Sequence, residues 1–100
     1  NELHYLDMYI DYDKKQVQLA GSPVKLTPRE YQLLELLSQN RGRVVTKDMI
    51  LEKVWDSRGV FVDDNTVNVT LNRLKKKIEP DPSHPLYIRN IFGLGYTFGE

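Results

Sequence analysis

The sequence has 100 residues, 40% of them hydrophobic, and its 14 basic and 14 acidic side chains leave a formal net charge of zero. A chain of this length is expected to form one domain that buries about two-thirds of its unfolded surface, and no apolar run reaches the roughly 18 residues that a membrane span needs. With acidic residues near its start (Glu2, Asp7) and no cysteine, it lacks a signal-peptide pattern, a disulfide framework and a thiolate metal site, which suits a soluble protein of a reducing cytoplasm.

From Leu3 to Leu26 the runs LHYL, MYIDY, VQLA and VKL alternate in polarity and are separated by DKK and GSP turns. That spacing predicts a small antiparallel meander. LTPREYQLLELLSQNRGR follows with a complete helix start: Thr27 as N-cap, Pro28 at the first helical position and Glu30 closing a capping box. The apolar face of this helix is Leu33, Leu34, Leu36 and Leu37, and Asn40 to Arg43, with Gly42, end it. Val44 and Val45 form an extended link. Thr46 then caps a second helix, in which Ile50, Leu51, Val54 and Trp55 have i, i+3, i+4 spacing. DSRGVFV breaks that helix.

DDNTVNVTLNRLKKKIE, residues 63 to 79, is ambiguous at first sight. Val67, Val69 and Leu71 alternate as in a strand, but Val67, Leu71, Leu74 and Ile78 recur over three turns as in a helix. Asp63 or Asp64 as cap, with Pro80 and Pro82 as stops, decides for a helix over about 64–79. Opposite the buried stripe lie Asn65, Thr66, Val69, Asn72, Arg73 and Lys76, with Asn68 and Thr70 on the flanks and Lys75 and Lys77 near the edges. Asn and Thr are mediocre helix formers, and a merely solvated face is better filled with Glu, Lys, Gln or Ala. Reading of DNA bases explains the choice: Asn pairs with adenine, Arg with guanine, a small apolar group meets a thymine methyl, and Thr and Lys suit phosphates. The charge distribution agrees. Residues 1–13 carry Glu2, Asp7, Asp11 and Asp13 and no Lys or Arg, whereas residues 65–78 carry Arg73, Lys75, Lys76 and Lys77 and no acid. Local potential rather than net charge governs binding. Last, LYIRNIFGLGYTF reads as a hairpin around a glycine-containing turn. No repeat or linker interrupts the chain.

Other signals carry less. His4 and His84 are far apart with no Cys partner, and Ser83-His84 sits in the Pro-flanked turn DPSHP rather than in a nucleophile and base pair. Asp11 and Asp13 resemble the start of an EF-hand loop, but Gln16 stands where that loop needs Gly. Gly93-Leu94-Gly95 falls in a hairpin, not between a strand and a helix, so it is no phosphate loop, and Asn68-Val69-Thr70 is a formal glycosylation sequon within a helix. No acid, base and nucleophile converge. An enzyme is not expected, nor any cofactor or metal; a winged helix that meets an acidic protein partner is the rival reading.

PREYQLLELL, GRVVTKDMILEKVW, DDNTVNVTLNRLKKKIE and IRNIFGLGYTF, in this order and spacing, resemble the C-terminal DNA-binding effector domain of OmpR/PhoB-type response regulators. The resemblance covers nearly the whole chain. It implies an α+β winged helix-turn-helix with an N-terminal four-stranded antiparallel sheet, three helices and a C-terminal β-hairpin wing, and a single domain over residues 1–100 excised from a longer regulator whose receiver domain is absent. It also implies the partners: double-stranded DNA at direct repeats, bound as a dimer by a domain that is monomeric in isolation; RNA polymerase; and a sensor kinase acting through the receiver. Base contacts are expected from Asn65, Val69, Asn72 and Arg73, phosphate contacts from Thr66, Thr70, Lys75 and Lys76, and minor-groove-side contacts from the wing at about 88–98, with Arg89, Asn90 and Phe92. The loop with Trp55, Asp56, Ser57 and Arg58 is the candidate polymerase-facing segment, although an aromatic that ends an amphipathic helix also suits a core role. Two departures stand out: Phe92 and Thr97 occupy wing positions where many members carry Arg. Phe92 is expected to pack under the hairpin or against sugar.

Overall fold

The computed structural model describes residues 1–55 and 64–99. The alternating N-terminal runs form strands β1 (Glu2–Tyr5), β2 (Met8–Asp11), β3 (Gln16–Leu19) and β4 (Ser22–Val24), an antiparallel sheet in the order β1-β2-β3-β4. Its registers pair Leu3 with Ile10, Ile10 with Val17 and Val17 with Val24, so Leu3, Met8, Ile10, Val17, Leu19 and Val24 share one face. Alternation with period two is what creates that face. The Asp11 carboxylate accepts from the amides of Asp13 and Lys14, both at 3.0 Å, which fixes the β2–β3 turn and gives Asp11 a structural role.

Helix α1 (Pro28–Gln39) starts as its sequence requires: the Glu30 amide donates to Thr27 Oγ1 at 3.2 Å and the Thr27 amide donates to Glu30 Oε1 at 2.9 Å. It buries Tyr31, Leu33, Leu34 and Leu37, and Leu36 is only half-buried. Tyr12 and Ser38 share a hydrogen bond of 2.8 Å that joins the sheet to α1. Helix α2 (Lys47–Ile50) is capped by Thr46, whose hydroxyl accepts from the Met49 amide at 3.1 Å.

Here the structure departs from the expected regular helix. From Leu51 to Trp55 the backbone widens into a π-helical turn. The Val54 carbonyl at its end accepts from the Arg29 guanidinium, which also lies 5.5 Å from the Trp55 ring. Apolar spacing alone does not separate an α from a π turn, because both keep Ile50 and Val54 on the buried side.

Helix α3 (Asp64–Ile78) buries Val67, Leu71, Leu74 and Ile78 as expected and resolves the ambiguity of its sequence in favour of the helix. Strands β5 (Ile88–Ile91) and β6 (Gly95–Phe98) form the terminal hairpin. One core joins all layers, with Met8, Ile10, Leu34, Leu37, Ile50, Leu74, Ile78, Ile88 and Phe98 at its centre. The cap at Asp63 and the DSRGVFV break lie outside the described residues. No described helix is long and apolar enough to cross a membrane.

Candidate nucleic-acid interface

Helix α3 is held against the body of the domain on one side and is open on the other. Asn65, Thr66, Val69, Asn72, Arg73 and Lys76 are exposed, and Asn68, Thr70 and Lys75 are half-buried at the margins. The eight residues assigned from sequence to base or phosphate contact thus lie on one open surface or its edge. Val69 is 38% exposed, an apolar side chain set among polar ones on the outer face. The basic residues of the last turn also complement the partial negative charge of a helix C-terminus, so some of their value is structural.

Residues 65–78 contain no acid, but the fold brings one to this basic cluster. Lys77 turns back and places Nζ 2.6 Å from Oε1 of Glu30, a carboxylate buried at the start of α1. Sequence distance hid the pair, since the two residues are 47 positions apart. Burial opposes ionisation of Glu30, but the Lys77 ammonium and the Thr27 amide outweigh it and hold the carboxyl below its usual range. Arg73, Lys75 and Lys76 remain as the cations available on the outer face.

The hairpin is fastened to α3 from both ends. At one end the Tyr96 hydroxyl donates to Asn68 Oδ1 at 3.2 Å. At the other, Glu79 directly after α3 is buried, and its carboxylate accepts from the amides of Leu86 at 2.6 Å, Tyr87 at 3.2 Å and Ile88 at 2.9 Å. Val45 pairs with Tyr96 through two backbone bonds of 2.7 and 2.9 Å, which brings the start of α2 alongside β6. Gly95 permits this approach: a Cβ there would sit 2.3 Å from the Val45 carbonyl oxygen.

Between the start of α2 and the hairpin runs a groove of about 540 Å³ bordered by Thr46, Lys47, Asn90, Phe92, Leu94 and Tyr96. Lys47 is a cation that sequence reasoning had not assigned. Its signal was available in the Thr46-Lys47 start of the helix, but only the Val45–Tyr96 pairing places it beside the wing. Of the three wing residues singled out, Arg89 is half-buried and donates to the Gly99 carbonyl at 3.3 Å, whereas Asn90 is exposed. Phe92 does not pack under the hairpin: it is fully exposed at the tip. The turn explains this, because Leu94 N–H donates to Ile91 C=O at 2.9 Å and Gly93 takes φ +75°, which leaves Phe92 at the outer corner.

Trp55 is half-buried against the core beside Arg29, and Asp56, Ser57 and Arg58 lie outside the described residues. Ser83 and His84 sit with Asp81 in an exposed turn, in which the Asp81 carboxylate accepts from both the amide and the hydroxyl of Ser83, at 3.0 and 2.6 Å. Among the described residues no cluster of His, Asp or Glu has the arrangement of a metal site.

A basic, Asn-rich helix beside an anchored hairpin is the geometry of a winged helix, and residues 21–98 match the family described as the C-terminal domain of transcriptional regulatory proteins. The chain belongs to that family. As an effector domain it is 45% identical, over 91% of its length, to the uncharacterized transcriptional regulatory protein YcbL of Bacillus subtilis (strain 168), of which it covers 40%. It superposes with a TM-score of 0.91 and 34% identity on the response regulator DrrB, an OmpR/PhoB homolog of Thermotoga maritima, covering 99% of this chain and 44% of DrrB. The Klebsiella pneumoniae RstA DNA-binding domain, solved in complex with the RstA box, matches with a TM-score of 0.85 and 29% identity over 99% of this chain and 97% of that one. The effector domain therefore spans less than half the length of YcbL and of DrrB and nearly all of the RstA domain. The winged helix-turn-helix of the OmpR/PhoB type, with its four-stranded N-terminal sheet, holds for this chain.

Proposed function

We propose that this effector domain binds double-stranded DNA sequence-specifically, with α3 in the major groove and the β5–β6 hairpin near the minor groove, as the output of a two-component transcription factor. The observation that carries this reading is the open face of α3, where Asn65, Val69, Asn72 and Arg73 stand exposed together, bordered by Lys75 and Lys76. Asn72 and Arg73 supply the bidentate groups for adenine and guanine, Val69 the apolar contact for a thymine methyl, and Thr66, Thr70, Lys75 and Lys76 the phosphate contacts. Lys47, at the start of α2, adds a phosphate contact on the wing side. The RstA DNA-binding domain, which matches 99% of this chain, was solved in complex with the RstA box, and that supports duplex DNA as the ligand.

One such module offers few contacts, so the isolated domain binds weakly as a monomer, and two copies on a direct repeat give the working affinity. RNA polymerase, and a sensor kinase acting through a receiver domain, are the partners this role implies. Selection of bound sequences from a random duplex pool tests the reading. A short enriched motif, occupied with a log K against log salt slope of about −3 to −4, is expected for neutralisation of about four phosphates. Recovery of no motif, with a slope near zero, would refute it and favour contact with an acidic protein.

A further inference from the structure

The tip of the hairpin presents two large apolar side chains to solvent, Phe92 at full exposure and Leu94 at 62%, on a turn without a charged residue. They share the border of the groove that Lys47 and Asn90 line. Nothing loose carries them. The hairpin is tied to α3 by Tyr96 to Asn68, to the segment before α2 by the paired Val45 and Tyr96, and to the end of α3 by the Glu79 carboxylate. These bonds fix the base of the hairpin relative to α3.

We propose that Phe92, backed by Leu94, is an apolar wedge that enters the minor groove and unstacks a flexible pyrimidine–purine step beside the site read by α3. This deepens the DNA-binding reading above and rests on it. A single aromatic ring that unstacks a step meets a cost which it recovers poorly alone, but a second apolar side chain on the same turn covers the exposed base edge and sugar. Side chains of this type between base steps kink the duplex, and TA and CA steps yield most easily. A protein partner fits the tip less well. Two side chains at the end of a narrow turn fall far short of the roughly 800 Å² per partner of a stable protein interface, whereas a minor groove about 6 Å wide accepts a hairpin tip. Because the tip carries no charge, the wing contributes preference through the deformability of one step and not through attraction to a narrow A·T groove.

The test uses the 100-residue chain and a duplex carrying its selected site, with 2-aminopurine placed in turn at each flanking position. Binding of the wild type is expected to raise fluorescence at one pyrimidine–purine step. Phe92→Ala, at a fully exposed position, leaves the fold intact; it should abolish that rise and weaken binding about tenfold, with the salt slope unchanged. Phe92→Arg should also abolish the rise but recover affinity on A·T-rich flanks. The wedge is overturned if the wild type binds with its normal salt slope and no position responds, or if Phe92→Ala binds and unstacks as the wild type does. It is equally overturned if Phe92→Ala alters only the cooperativity of two copies on a direct repeat, which would assign the tip to a protein contact. Absence of any salt-dependent duplex binding would instead remove the DNA-binding reading itself, and the wedge with it.

Discussion

The ammonium of Lys77, near the end of α3, lies 2.6 Å from the Glu30 carboxylate in the first turn of α1. Glu30 is nearly enclosed, while the Lys77 side chain is 38% exposed. Lys77→Met should therefore lower stability by about 1 to 3 kcal/mol, less than for a fully enclosed pair because water screens the lysine. The shift should appear in the urea midpoint with an unchanged slope. The sign with pH follows from the depressed carboxyl of Glu30. Its contribution is present above the ordinary carboxylate value of 4.5 and is lost as pH falls through the lower folded value. The difference between wild type and Lys77→Met should accordingly close on acidification. A gap that stays constant down to pH 3 would assign the loss to packing of the lysine stem.

The same pair separates two classes of lysine on α3. Lys77 is neutralised in the free domain, whereas Lys76 stands exposed. Lys76→Ala should reduce the salt slope by about 1 and weaken all sequences alike, whereas Lys77→Met should leave the slope unchanged. Arg73→Ala should behave differently again, costing about 1 to 3 kcal/mol on the preferred site and flattening discrimination at one base position. Equal and sequence-blind losses from Arg73→Ala and Lys76→Ala would show that Arg73 only anchors phosphate.

Much of the architecture is legible in the sequence because local rules dominate where the elements begin and end. The Thr27-Pro28-Glu30 start, the Asp11 turn and the stripe from Val67 to Ile78 each state their own geometry within a few residues. What escapes is set by contacts between distant segments. The π-helical turn at Leu51–Trp55 accompanies Arg29, 25 residues from Val54. The place of Lys47 beside the wing depends on Val45 pairing with Tyr96, and the neutralisation of Lys77 on Glu30. Phe92 shows the reverse error: an aromatic was expected to find cover, but a tight turn with Gly93 at φ +75° leaves no neighbour to cover it. The exposure of the outer face of α3 was readable because its residues fall opposite the apolar stripe at helical spacing.

Glu79 links the end of α3 to the hairpin through the amides of Leu86, Tyr87 and Ile88. Glu79→Gln keeps the shape but offers one acceptor oxygen in place of two and points N–H donors at the amides. A loss of about 2 kcal/mol is expected, since buried donors are left without partners. Hydrogen exchange should locate the effect: the amides of residues 86–88 should exchange faster, and the centre of α1 should change only by the global loss. Uniform acceleration over the whole chain would mean that Glu79 supports overall stability rather than the seat of the wing.

Gly95 gives the most direct control of wing position. Its backbone passes so close to the link before α2 that a Cβ would lie 2.3 Å from the Val45 carbonyl oxygen and 3.0 Å from the Thr46 Cα, both backbone atoms that no rotamer change can move. Gly95→Ala must therefore push β6 away from Val45 and lengthen the 2.7 and 2.9 Å bonds that join Val45 to Tyr96. The cost should be about 1 to 3 kcal/mol, typical of inserting a methyl into a filled space. Gly93→Ala is the matched control: it meets nothing within 4 Å but loses the freedom that glycine has at φ +75°, so its cost should stay near about 1 kcal/mol. Because Lys47 and Asn90 line the same groove, displacement of β6 should also weaken DNA binding for Gly95→Ala more than for Gly93→Ala at temperatures where both remain folded. Equal stability of the two variants would show that the chain relaxes around Gly95 without moving the wing.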